Sequence, residues 1–374
     1  MFIVNKIKKL DMLILLITFA LGLVGTMAIY EATVGTNLHN LHIQNFIMLL
    51  LFCAPMLCIA LIDYRIIVSK LAYGFYGIGV ALLVAVHFFG ENKNGAQRWL
   101  NLGGFEFQPS ELAKICTILL VAHLLHRRKG EQLKIGKDII PILLVFLVPV
   151  LFIYKQPDLG TALVFLGMML SMLWMGNVRM IYMALCVGLG AAAIVAVFWL
   201  FHNNYDLLAS IVKSHQMDRI QTFIDPASDP DKSWHVNNAL IAIGSGGLNG
   251  DSGYFFQKGF IPYVYSDSIF VAVGEKYGFI GSSVLLFLFF LLLYRMIIVS
   301  NESRDLAGSY IVIGIIGMLV FQIFVNIGMH VGIMPLTGIS LPFISYGGST
   351  MLTNMIAIGI VLSVAVHKNE IVID

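Results

Sequence analysis

Two carboxylates, Asp267 and Glu275, stand in SDSIFVAVGEKYGFIG, at the entry to a long apolar run and just after a loop rich in glycine from Gly244 to Gly259. An ionisable side chain at the lip of a membrane helix is a functional-site candidate, because its charged form loses hydration there. If the run is a regular helix from Asp267, Glu275 lies about 12 Å further along the axis. Paired acids that hydrolyse a glycosidic bond sit about 5–9.5 Å apart. The spacing here is too long for that chemistry and leaves a single carboxylate base. One base suffices where the leaving group is already good, and a diphosphate is such a group, needing cations rather than a proton donor.

Cations suited to that task precede the pair. Arg98, in QRWLNL, carries a guanidinium that can grip phosphate with two donors; its alternative reading is an interfacial anchor. Lys114 follows Glu111 by three residues, on one face of a helix that starts at Pro109-Ser110. That pair reads either as an ion pair easing two charges near the bilayer or as the charged wall of a cavity. Asp267 with Arg98 and Lys114 fits a sugar hydroxyl attacking a lipid-linked diphosphosugar. Other chemistries are poorly supported: GGST and GSGG make a weak nucleophile elbow, and IGSGGLNGDSG lacks the Lys-Ser/Thr ending of a phosphate loop. His202, His215, His235 and His330 are scattered and read as polar loop residues rather than metal ligands. Cys53, Cys58, Cys116 and Cys186 lack a CxxC or His spacing and read as small packing residues.

The elements that must position these groups are membrane helices. Of the 374 residues, 59% are hydrophobic and 12% charged, against about 25% charged in a soluble domain. Apolar runs near the length that spans a bilayer occur at about 11–30, 44–62, 69–89, 109–126, 139–154, 160–176, 180–201, 268–294, 307–327 and 346–366. The chain therefore reads as one all-α polytopic domain of ten transmembrane helices over residues 1–374. The first helix lacks a cleavage site and is read as retained. With the N-terminus inside, the inner segments hold fourteen Lys and Arg and the outer ones eight, and HRRKGEQLKIGK is the densest cluster. Both termini are thus expected to be cytoplasmic and the Asp267 stretch outside. A net charge of +2 without a basic tail gives no sign of nucleic-acid binding.

Residues 202–266 read as a large extracytoplasmic loop between helices seven and eight. It holds an amphipathic piece at Met217, Ile220, Phe223 and Ile224 fit for a membrane surface, and a half-buried helix near 236–245. Asp158, between Pro157 and Gly160, is expected to cap helix six. The segment FVNIGMHVGIMPLTGISLPFISYGGST carries Pro335, Pro342 and several glycines, so it cannot be one regular helix. Such backbone at membrane depth must lie against protein or a wet cavity, and is expected to line the cavity of Asp267.

The ordered runs GAQRWLNLGGFEFQPSELAK, QPDLGTALV, ALIAIGSGGLNG, DSIFVAVGEKYGFIG and NIGMHVGIMPLTGISLPFISYGGS, between about residues 90 and 360, resemble the SEDS family, the RodA/FtsW/SpoVE proteins. The resemblance implies a ten-helix SEDS fold and a peptidoglycan glycosyltransferase that polymerises lipid II at the outer face of the bacterial cytoplasmic membrane. It also implies a class B penicillin-binding protein as partner, and the compact length is slightly more RodA-like. On matching positions, Asp267 is the general base for the acceptor sugar's 4-hydroxyl; Arg98, Glu111 and Lys114 form the charged set near the cavity; and Ser345, Tyr346 and Ser349 belong to the external ISYGGS loop that meets substrate. No cofactor is called for, and a divalent cation on the diphosphate is compatible. The chain departs from the family pattern at Ser266 and Ser268 beside the Asp, at Glu275-Lys276, at WHVNNA and at Pro262-Tyr263. The competing readings are a carrier for lipid-linked precursors, which would also show broken helices, and a non-catalytic scaffold for the penicillin-binding protein.

Overall fold

Every one of the ten apolar runs forms a helix. The computed structural model describes residues 6–93, 96–103, 105–226 and 229–368; the two chain ends, and Asn94, Gly95, Gly104, Ala227 and Ser228 in the external loops, lie outside the described residues. The spans are α1 (Met12–Thr33), α2 (Leu41–Leu61), α3 (Tyr64–Phe89), α4 (Pro109–His126), α5 (Ile135–Lys155), α6 (Leu159–Met175), α7 (Met180–Asn203), α12 (Ile269–Glu302), α13 (Leu306–His330) and α14 (Gly348–His367). Between α7 and α12 run four shorter helices, α8 (Tyr205–Ile211), α9 (Ser214–Ile224), α10 (Pro230–Ser245) and α11 (Tyr254–Gln257). Among the described residues, eight helices are long and apolar enough by themselves to cross a bilayer. α6 is shorter, and α4 carries the Glu111 and Lys114 charges. The fold is all-α with ten membrane helices.

Local chemistry places the helix starts. Asp11, Asp158 and Asp305 cap α1, α6 and α13 by accepting backbone N–H bonds from Ile14, Thr161 and Ala307. Pro109 opens α4, where its missing N–H is not needed. The centre of the bundle is α4, α13 and α14; α2 packs on α14, α6 and α4 on α13, and α1 on α12. Small residues let helices approach closely: a Cβ on Gly359 of α14 would stand 2.6 Å from the Met56 carbonyl oxygen of α2. α7 has no buried residue along its length, and its chief neighbour is α8.

The bundle has two distinct ends. The start of α1 and the end of α14 share one, since Asp11 pairs with Arg295 at 2.7 Å and Lys368 with Glu302 at 2.5 Å. Lys276 and Glu31 pair at 3.2 Å at the other end, where the loops that hold Asp267 gather.

Two local features depart from a plain helix bundle. The stretch after α3 forms a three-stranded antiparallel sheet, β1 (Glu91–Lys93), β2 (Ala96–Leu102) and β3 (Phe105–Phe107), with Glu91 opposite Trp99 and Leu100 opposite Phe107. α12 is also not regular. Gly278, at φ 61° and ψ −157°, breaks it into a short arm, 269–277, and a long membrane-spanning arm. The break is filled by the glycine loop. Phe279 N–H donates to the Gly247 carbonyl at 2.9 Å, Ile280 N–H to Leu248 at 3.1 Å, and Asp251 N–H to Glu275 at 2.8 Å. A Cβ on Gly250 would meet the Lys276 carbonyl oxygen at 2.0 Å. The glycines thus serve close backbone packing.

Candidate active site

Asp267 lies one residue before Ser268, which immediately precedes α12, and faces a cavity of about 540 Å3. Each wall comes from a different element: Arg219 from α9, His235 from α10, Tyr263 and Asp267 from the turn before α12, and Met334 and Gly338 from the coil after α13. That coil joins the Asp267 stretch at one cavity, as its prolines and glycines lead one to expect. Gly338 has φ +75°, a left-handed conformation that favours glycine, and a Cβ there would stand 3.6 Å from Asp267 Oδ2.

The carboxyl of Asp267 touches the cavity but is otherwise closely surrounded by protein. Burial pushes its pKa up to about 6; the backbone N–H groups of Asp267 and Ser268 and the charge of Arg219 oppose that rise. The value suits a general base, which works best when its pKa lies near the operating pH. Its backbone carbonyl is held from α13, by Asn326 Nδ2 at 2.7 Å and His330 Nε2 at 3.0 Å. His235 Nε2 lies 3.3 Å from the Ser268 hydroxyl, and burial lowers its pKa, which favours a neutral ring. His235 and His330, read from the sequence as loop residues, therefore both sit on helices and meet around the Asp267 turn.

Arg219 is the cation of the cavity, and its local sequence does not announce it. Nη1 donates to the Leu336 carbonyl at 3.0 Å and the Thr337 carbonyl at 3.1 Å, tying α9 to the coil after α13. Burial and neighbouring Arg98 pull its pKa down, while Asp158 and Asp267 hold it up. Those four groups thus share one electrostatic neighbourhood. Met217 of α9 is buried against protein, while Ile220, Phe223 and Ile224 are half-buried. The sequence clue was the single Arg in an amphipathic segment, but an isolated Arg in a polar loop usually only meets water.

The other sequence candidates hold the frame. Arg98 Nε donates to the Gln156 carbonyl at 2.9 Å and Nη2 to the Pro157 carbonyl, with Nη1 3.9 Å from Asp158 Oδ2, so it clamps the α5–α6 turn. Lys114 and Glu111 pair at 2.9 Å inside the bundle, with the residues only 1% and 5% exposed, and they do not line the cavity of Asp267. Ser345 closes its own loop by accepting from Leu341 N–H at 2.8 Å. Tyr346 N–H donates to the Tyr265 carbonyl at 2.9 Å, while its hydroxyl donates to Gln44 Oε1 at 2.8 Å. Ser349 donates to the Glu106 carbonyl at 2.8 Å and accepts from Gln108 N–H at 2.9 Å, fastening the sheet to α14. Glu275 is fully buried and accepts from Phe255 N–H at 2.7 Å and Phe256 N–H at 3.3 Å, which makes it a brace for α11. Among the described residues no group of three or more His, Cys, Asp and Glu could hold a metal ion.

The arrangement can accept a proton at Asp267 beside a cation at Arg219, in a cavity wide enough for sugar rings. The chain is similar to several known proteins. Residues 8–370 match the FTSW_RODA_SPOVE family, described as "Cell cycle protein". The peptidoglycan glycosyltransferase MrdB of Escherichia coli (strain K12) is 36% identical over 297 residues, covering 78% of this chain and 77% of that one. The peptidoglycan glycosyltransferase RodA of Treponema pallidum (strain Nichols) is 30% identical over 430 residues, covering 96% of this chain and 98% of that one. Among solved structures, a chain of a peptidoglycan synthase complex described as coordinating polymerization and crosslinking superposes at a TM-score of 0.79, with 28% identity over 96% of this chain and 99% of that one. The rod shape determining protein RodA of Thermus thermophilus superposes at a TM-score of 0.71, with 27% identity over 96% of this chain and 98% of that one.

Proposed function

The chain belongs to the FtsW/RodA/SpoVE family of cell cycle proteins and is a peptidoglycan glycosyltransferase, and we propose that it polymerises lipid II at the Asp267 cavity. In the proposed step, the acceptor sugar's 4-hydroxyl gives its proton to the Asp267 carboxylate. Its oxygen forms a bond to the anomeric carbon of the donor, and the bond from that carbon to the diphosphate oxygen breaks. The departing lipid diphosphate carries the negative charge, which Arg219 is placed to stabilise. The single observation that carries the reading is the half-buried carboxyl of Asp267, its pKa pushed up to about 6, in one cavity with a guanidinium. Glu111, Lys114 and Arg98 then act by holding the frame around the cavity rather than by touching the reacting atoms.

The cavity faces the outside of the cell in this proposal. Support comes from the Lys and Arg distribution and from the shared end of α1 and α14, which lies opposite the Asp267 loops. A penicillin-binding protein is the proposed partner, because crosslinking of the polymer needs a transpeptidase and the similar synthase complex couples polymerization to crosslinking. RodA-like use in elongation is the favoured assignment.

The test is to incubate purified protein, alone and with a penicillin-binding protein, with lipid II and to resolve glycan strands by length. The wild type is expected to make strands and Asp267→Asn none. Equal polymerisation by both would remove Asp267 as the base. Movement of lipid II across vesicles with no glycan made would favour the carrier reading.

A further inference from the structure

Asn326 and His330 stand four residues apart on α13 and so project from one face of it. Both are fully buried, at 0% and 1% exposure. The amide nitrogen of Asn326 donates to two backbone carbonyls, Asp267 at 2.7 Å and Ile339 at 2.6 Å. His330 adds a second donor to the Asp267 carbonyl at 3.0 Å, and because a carbonyl only accepts, its Nε2 carries the proton. Ile339 follows Gly338, whose backbone lies against the Asp267 carboxylate. One amide therefore holds both pieces of chain that flank the carboxylate: the turn that bears it and the coil that backs it.

We infer that Asn326 and His330 are positioning residues, a two-donor latch that sets the Asp267 carboxylate against the acceptor hydroxyl by fixing the Asp267 backbone. The latch rests on the reading of Asp267 as the base. Asn326 Oδ1 and His330 Nδ1 are buried without a hydrogen-bond partner among the described residues, and such atoms weigh against stability. An apolar pair would bury no such atoms but would leave the Asp267 and Ile339 carbonyls without these three donations. What the polar pair adds is direction. Neither side chain lines the cavity, so both act through Asp267.

The experiment compares initial rates of lipid II polymerisation across pH for the wild type, Asn326→Leu, His330→Leu, His330→Gln and Asp267→Asn. Asn326→Leu and His330→Leu are expected to lower kcat between about 10- and 100-fold, the range for a misplaced catalytic group, with KM for lipid II changed less than about twofold. His330→Gln keeps a donor near the same place and is expected to recover most of the rate. The acid limb of the pH profile is expected to move down in the Leu variants, as a loosened carboxyl gains access to water. Wild-type kcat in Asn326→Leu with Asp267→Asn inactive would overturn the latch while leaving the base in place. Equal loss in His330→Leu and His330→Gln, or a loss carried by KM with an unmoved acid limb, would also overturn it. Full activity of Asp267→Asn would instead remove the base, and the latch with it. If Asn326→Leu does not fold, the two His330 variants still decide the question.

Discussion

Replacing Asp267 with Asn separates the chemistry of this carboxyl from its effect on stability. Burial raises its pKa from 3.8 to about 6 in the folded protein, a shift worth about 3 kcal/mol at about 1.4 kcal/mol per unit. The sign follows from proton binding. The folded state holds the proton to higher pH than the unfolded state, so stability is lost as pH rises from about 4 to about 6, and the loss persists above that. Asparagine keeps the shape and has no charge to bury. Asp267→Asn is therefore expected to be more stable than the wild type by about 3 kcal/mol at pH 8 and by only about 0.5 kcal/mol at pH 4. With the usual unfolding entropy per residue over 374 residues, the gain at pH 8 corresponds to a Tm about 4 °C higher. Thermal unfolding of both proteins in detergent, followed by intrinsic fluorescence at several pH values, measures it. The same preparations report polymerisation, which is expected to vanish in the variant. A Tm difference that is absent at pH 8, or that does not change between pH 8 and pH 4, would refute the claim that a buried carboxylate is held at a cost for function.

Two further outcomes follow from the geometry. Arg219→Gln is expected to cut the polymerisation rate about 100-fold, as expected when a group stabilising a departing charge is removed; an unchanged rate on lipid II would take Arg219 out of diphosphate stabilisation. Gly278→Ala places a Cβ 2.5 Å from the Gly250 nitrogen at a residue with φ +61°, so it is expected to destabilise by about 1–3 kcal/mol; a Tm equal to wild type would mean that the kink of α12 does not need glycine.

Much of the frame was legible along the chain. Bilayer thickness demands apolar runs of a set length, and all ten are visible as such. Helix caps were also legible where a short polar side chain precedes an apolar run, as at Asp158 before α6. Less visible was the three-stranded sheet, because QRWLNLGGFEF lies among turn residues and its strands are too short for a strong alternation. The kink at Gly278 was hidden for another reason. A glycine in an apolar run reads as helix until another backbone is known to cross it, and here the crossing comes from Gly246 to Gly250.

By itself the sequence determined the class of the protein and the approximate course of its membrane helices, and it offered one carboxylate at a membrane lip as a candidate base. These are properties of short windows: apolar length, capping chemistry and the desolvation of a charge. Tertiary structure decided which groups surround that carboxylate. Arg98, Glu111 and Lys114 turned out to hold turns and helices together, while Arg219 from α9, His235 from α10, and Asn326 and His330 from α13 gather at the Asp267 turn. Their meeting depends on how separate loops and helices pack over one end of the bundle, which is a long-range property that no local spacing of residues records.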